Sequence, residues 1–208
     1  MENEEFSAPA PDAASTPDAP APAVRKRPKP GERRVQILQT LAAMLERPGA
    51  ERVTTAALAA QLDVSEAALY RHFASKAQMF EGLIDFIEQS VFTLVNQILE
   101  RESAGKEQAA RIVTMLMQFA EQNPGMTRVM VGDALVYENE RLQSRMNQFF
   151  DKIESTLRQA LRDAVIADGS DTPTVDAQVR AGALTAFVVG RLQRFARSGF
   201  RRLPSEHL

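Results

Sequence analysis

The sequence predicts an all-α protein: a three-helix helix-turn-helix unit near the N-terminus, then a longer helical domain suited to dimerisation. Three observations predict it. From about residue 31 onwards, apolar side chains recur at intervals of three and four, the period of an amphipathic helix. No stretch alternates apolar and polar residues as a half-buried strand would. The 208 residues include 10 Gly, no Trp and 6% aromatic side chains, a composition that leans away from β-sandwiches and barrels.

Residues 1–30 are rich in Ala, Pro, Asp and Ser. They bury too little apolar surface to offset chain entropy and are expected to form a disordered acidic tail. The first helix carries Val35, Leu38, Leu41, Ala42 and Leu45 and stops at Pro48-Gly49. A short helix follows from Thr55 to Gln61, then a turn at Leu62-Asp63-Val64. Ser65 is suited to cap a third helix to about His72, and Ser75 a fourth. The fourth aligns Phe80, Ile84, Ile87, Val91, Val95 and Ile98 on one stripe. A fifth carries Ile112, Met115, Leu116 and Phe119 and breaks at Asn123-Pro124-Gly125. After a short segment come a long helix from about Glu138 to Ile166 and a last one from about Thr174 to Ser198. The domains expected are the tail (1–30), a helix-turn-helix domain (31–76), a regulatory and dimerisation domain (77–202) and a C-terminal tail (203–208).

A net charge of −2 argues against nucleic acid until it is resolved along the chain. Residues 1–24 hold five acids and no base, whereas residues 25–80 hold ten Lys or Arg against five acids. That second segment has the basic excess that a phosphate backbone attracts. Within it, Arg25, Lys26, Arg27, Lys29, Arg33 and Arg34 form either a solvated linker or an arm adding phosphate or minor-groove contacts. There is no Cys, which excludes disulfides and thiolate metal sites. No apolar run approaches the ~18 residues of a membrane span, and the acidic N-terminus lacks the pattern of a signal peptide. A cytoplasmic protein without membrane contact is expected. No paired carboxylates, Gly-rich phosphate loop or Ser-His spacing supports an enzyme, a metal or a cofactor. The two histidines are His72 and His207, and His72 reads as a phosphate or cap contact rather than a ligand or base.

The stretch Thr54 to Lys76 reads as two short helices joined by a tight turn. Such a pair suits DNA because its second helix enters a major groove about 12 Å wide while the first braces the backbone. Leu58, Ala59, Leu62, Val64, Leu69 and Phe73 would fix the angle between them, with Asp63 in the left-handed turn position. Thr54, Thr55, Ser65, Glu66, Ala67, Ala68, Tyr70, Arg71, His72 and Lys76 are left as outward or terminal groups.

The pattern T-T-x-x-L-A-x-x-x-x-V-S-x-x-x-L-Y-x-H-F-x-S-K within this stretch resembles the TetR family of bacterial regulators. The resemblance implies a TetR-like fold. It implies that Thr54, Thr55, Tyr70, His72 and Lys76 meet phosphate, while Ser65, Glu66, Ala67 and Ala68 face base edges. Many members carry Gly where this chain has Asp63, and Gly then Thr where it has Ala67 and Ala68. Those methyl groups can touch thymine methyls but donate no hydrogen bond. VSEAALYRHFASK, together with FIEQS (86–90), EQNPGMTR (121–128) and RLQSRMNQFFDKIE (141–154), resembles the nucleoid occlusion branch of that family. The branch implies a nucleoid-associated homodimer, with one dimer or several on one palindromic DNA site, that engages the tubulin-like division protein FtsZ. This chain departs from the branch in its long acidic tail and in stopping soon after Arg202, where relatives carry a further short helix.

Two surfaces remain. Phe86 lies beside the apolar stripe of the fourth helix on a mostly polar face. It either packs on the fifth helix or anchors a partner, in which case the patch extends over Ser90, Thr93, Leu94, Met115, Gln118, Gln122 and Asn123. The last two helices carry Leu142, Met146, Phe149, Ile153 and Leu157, then Val179, Gly182, Ala183, Ala186 and Gly190. These stripes are expected to form a four-helix dimer bundle, the other reading being that they pack inside one subunit. The alternative function is a repressor released by a small ligand, in a pocket lined by Phe92, Met117, Phe119, Met130 and Tyr137.

Overall fold

Hydroxyl side chains set three of the helix starts. Thr54 accepts a hydrogen bond from the Ala57 amide at 3.2 Å, Ser65 from Ala68 at 3.3 Å and Ser75 from Gln78 at 3.2 Å. Each satisfies one of the amides that a helix start leaves without an intrahelical partner. The computed structural model describes residues 31–47 and 52–207; the tail at 1–30, its basic cluster at 25–29 and the stop at Pro48-Gly49 lie outside them. The helices are α1 (Glu32–Leu45), α2 (Thr55–Gln61), α3 (Glu66–Tyr70), α4 (Lys76–Arg101), α5 (Gly105–Gln122), α6 (Pro124–Met130), α7 (Glu140–Ala167) and α8 (Pro173–Arg197). A single 3-10 turn, Asp133–Leu135, separates α6 from α7, and no strand occurs among the described residues. None of these helices is long and apolar enough to cross a membrane.

Two expectations need correction in the core. On α1 the buried face is Ile37, Leu41, Ala42, Met44 and Leu45, while Val35 is 54% exposed. On α7, Leu142, Met146, Phe149, Ile153 and Leu157 are each at most 1% exposed within one chain. They fill the subunit's own core against α5 and α8 and cannot be the dimer surface. Burying each stabilises the subunit by roughly 1.5–3 kcal/mol. The α8 stripe differs. Val179 is 64% exposed and Phe187 44%, and Ala183 and Ala186 are also open.

The pocket residues of a ligand-released repressor are also placed otherwise. Met117, Phe119 and Met130 belong to the packed core, and Phe92 meets the Phe149 ring edge-on at 5.6 Å. Tyr137 is 69% exposed and lines nothing internal.

The helix α4 runs through both halves of the molecule, and α7 rises beside it in the same direction. Lys76 pairs with Glu138 and Glu81 with Arg141, while Arg145 reaches Asp85 at 2.6 Å and Glu88 at 2.7 Å. The Glu88 hydrogen bonds hold the Arg145 guanidinium above its usual range; partial burial opposes this, and Asp85 adds to it. At the far end, Lys106 and then Arg180 hold the Asp168 carboxylate below its usual range. A depressed carboxylate contributes stability above its unfolded pKa and loses it only as pH falls through the folded value.

The short segment after α5 is itself the helix α6, with Pro124 at its first position, where a missing N–H costs nothing. Here α6 lies so close to α1 that a β-carbon on Gly125 would overlap the carbonyl oxygen of Ala42. Gly125→Ala is therefore expected to force α6 off α1 and destabilise the fold by roughly 2–3 kcal/mol, lowering Tm by roughly 5–10 °C. Thermal unfolding followed by circular dichroism checks this; an unchanged Tm would show that the contact is soft.

Candidate nucleic-acid interface

The turn between α2 and α3 is built almost wholly from backbone. Leu62 donates to the carbonyls of Leu58 and Ala59, Asp63 adopts φ +56°, and the Val64 amide returns to the Ala59 carbonyl at 3.0 Å. Asp tolerates that left-handed position better than most side chains with a β-carbon. Beneath it Leu58, Ala59, Leu69 and Phe73 are buried, with Leu62 and Val64 half-buried, as the pattern predicts. From behind, Arg34 lies 4.0 Å over the Phe73 ring and donates to the His72 carbonyl at 2.6 Å, tying α1 to the end of α3.

This frame leaves Ser65, Glu66, Ala67, Tyr70, Arg71 and the His72 side chain exposed together on α3 and its ends, with Ala68 half-buried. Several of the groups are already engaged. The Thr54 and Ser65 hydroxyls cap α2 and α3. Thr55 donates to the Glu66 carboxylate at 2.6 Å, which bridges the two helices. Arg33 donates to Gln36 at 2.8 Å along α1. Among the described residues no three His, Cys, Asp or Glu side chains gather where a metal ion could sit.

Lys76 is the informative case. Its ammonium stands at the start of α4 but is held by Glu138, whose side chain is 10% exposed, and lies 5.7 Å from the centre of the Phe80 ring. Glu138 and Arg34 have no counterpart in the motif. Arg34 was visible in the sequence only as part of a basic run, and Glu138 lies 62 positions from its partner.

The second surface lies on α4 and α5. Phe86 is 49% exposed and Leu94 39%, with Thr93 open and Ser90 half-buried on the same helix. Gln118 and Gln122 are exposed on α5, Met115 is half-buried, and Asn123 donates to the Phe119 carbonyl at 2.8 Å, closing that helix. Phe86 is thus not covered by α5.

The pattern of bacterial regulatory proteins of the tetR family matches residues 37–83. That of the tetracyclin repressor-like C-terminal domain of the SlmA-like kind matches residues 107–208. The chain is 51% identical over 180 residues to the nucleoid occlusion factor SlmA of Photobacterium profundum, covering 86% of this chain and 91% of the relative. It is 51% identical over 174 residues to that of Vibrio cholerae, covering 83% and 88%. A TetR-family transcriptional regulator from Agrobacterium tumefaciens superposes with a TM-score of 0.66 at 17% identity, over 85% of this chain and 95% of that one. The regulator PfmR from Thermus thermophilus does so at 0.65 and 23% identity, over 83% and 89%. These structural likenesses concern the fold.

The Lys76–Glu138 pair generates a prediction. Lys76→Ala is expected to weaken binding to every duplex and lower the salt slope by about one unit. Glu138→Gln, which frees the ammonium, is expected to tighten binding to every duplex. Fluorescence anisotropy across a salt series checks both, and an unchanged slope in Lys76→Ala would show that this lysine meets no phosphate.

Proposed function

This chain belongs to the TetR family and, within it, to the nucleoid occlusion factors named SlmA, and on that premise we propose that it inhibits FtsZ ring assembly from palindromic chromosomal sites. Binding DNA as a dimer, it docks α3 into the major groove, with Ala67, Ala68, Tyr70 and Arg71 nearest the duplex. Thr54, Thr55, His72 and Lys76 fix the register on phosphate.

The dimer seam is the α8 stripe of exposed Val179, Ala183 and Ala186 with half-buried Gly182 and Gly190, whose small residues let two copies approach closely.

The observation that carries the division-inhibiting reading is Phe86, an aromatic side chain left 49% exposed on the helix that begins at Lys76. A half-open aromatic among near-neutral neighbours is the chemistry of an interface anchor. Leu94, Ser90, Thr93, Met115, Gln118 and Gln122 complete the FtsZ face. No observation favours the ligand-released repressor.

Sedimentation of FtsZ polymers tests the proposal. With a palindromic duplex present, the chain is expected to co-pellet with the polymers or reduce their yield, and much less so without DNA. Phe86→Ala is expected to keep DNA affinity and weaken the polymer effect about tenfold or more. Polymers indifferent to the DNA-bound chain would refute the division role.

A further inference from the structure

A run of arginines near the end of the chain is unclaimed by this function. No acid occurs between Asp176 and Glu206, a span that holds Arg180, Arg191, Arg194, Arg197, Arg201 and Arg202. Arg191 is structural, because it donates to the carbonyls of Pro204 and Glu206. Arg201 likewise donates to the Ser198 carbonyl at 3.0 Å. Arg194, Arg197 and Arg202 are exposed, and among the described residues none has a carboxylate within salt-bridge distance.

Their height in the fold is set by helix register. The helices α7 and α8 are antiparallel, with Gln178 donating to Glu154 at 2.6 Å and accepting from Arg158 at 2.7 Å. Carried along both helices, that register brings Arg194 and Arg197 opposite the start of α7. The start of α7 is in turn level with the start of α4, through Glu138–Lys76 and Arg141–Glu81. The chain beyond α8 stays at this end, since the Ser205 amide binds Glu121 at 2.8 Å and Phe200 stacks under Arg128 at 5.1 Å. The three arginines therefore stand at the height of Lys76, about two helix spacings of 8–10 Å across from it.

They also continue the α8 seam. Helical periodicity puts Arg197 in line with Val179, Ala186 and Gly190, with Arg194 one turn before it, close to the same line. In the proposed dimer, two sets of arginines meet at the DNA end of the seam and repel each other unless an anion lies between them.

We propose that Arg194, Arg197 and Arg202 of both subunits bind the phosphate backbone of the duplex between the two half-sites, a contact separate from the helix-turn-helix. This inference rests on the proposed DNA-bound dimer. A duplex joining half-sites a turn or more apart runs beneath the seam. Arginine suits it, because its planar fork grips phosphate in two places. The contact reads no base; it adds affinity and rewards a central segment that brings its backbone close.

The test uses a palindromic duplex selected from random sequence by the full chain, with central phosphates either native or replaced by neutral methylphosphonates. Central replacement is expected to weaken wild type and lower its salt slope by about 0.9 for each lost contact. The variant Arg194→Gln/Arg197→Gln/Arg202→Gln should show the lower slope on both duplexes and no further loss on replacement. The matching triple lysine variant, which keeps the charge, should retain most of the wild-type slope. Wild type indifferent to central replacement, or an unchanged slope in the glutamine variant, would overturn the proposal. So would a glutamine variant that keeps its DNA slope but loses binding to phosphatidylglycerol vesicles, which would assign the patch to a lipid surface. Failure of wild type to select any duplex would instead refute the DNA-binding reading itself.

Discussion

Of all the contacts in the subunit, the charged seam between α4 and α7 carries the most consequence. The helix α4, 26 residues long, begins beside the DNA-facing α3 and ends in the body of the molecule, so its tilt sets where α3 points. Apolar packing of Phe80, Ile84, Ile87, Val91 and Val95 holds it in place but is non-directional. The pairs Lys76–Glu138, Glu81–Arg141 and Asp85/Glu88–Arg145 add direction, because each works at one register of α4 against α7. The fork of Arg145, shared between two carboxylates, is the most specific of the three.

That constraint bears on what kind of regulator this is. A ligand-released repressor needs a cavity whose filling tilts α4. In this chain Met117, Phe119 and Met130 are spent on the core and Phe149 is clasped edge-on by Phe92 and Phe150. Among the described residues, α3, Phe86 and the α8 residues Val179, Ala183 and Ala186 stay exposed. Glu138 sharpens the point: the acid that steadies α4 also competes for the lysine expected at phosphate, so stability and affinity pull on the same ammonium.

Local features were legible in the sequence, and non-local ones were not. The caps Ser65 and Ser75 and the left-handed Asp63 depend on neighbours within four residues, and the structure has each of them. Periodicity showed that Leu142 to Leu157 face something apolar but could not say whether that was the same subunit or another. The answer turned on α5 and α8 lying over them. Asn123-Pro124-Gly125 reads as a stop because Pro cannot continue a helix; the same Pro starts α6, and Gly125 admits α1, which no short window reveals. On the DNA face the motif located α3 but not the bridge from Thr55 to Glu66 or the hold of Glu138 on Lys76. Those follow only from the way the turn and α7 bring distant residues together.

The proposed role is that of a protein that marks the chromosome for the division machinery. Mapping its bound sites across the chromosome in living cells tests that claim most directly. Many palindromic sites are expected, spread around the chromosome and sparse near the replication terminus, where division must proceed. A single occupied promoter, or sites dense at the terminus, would contradict it.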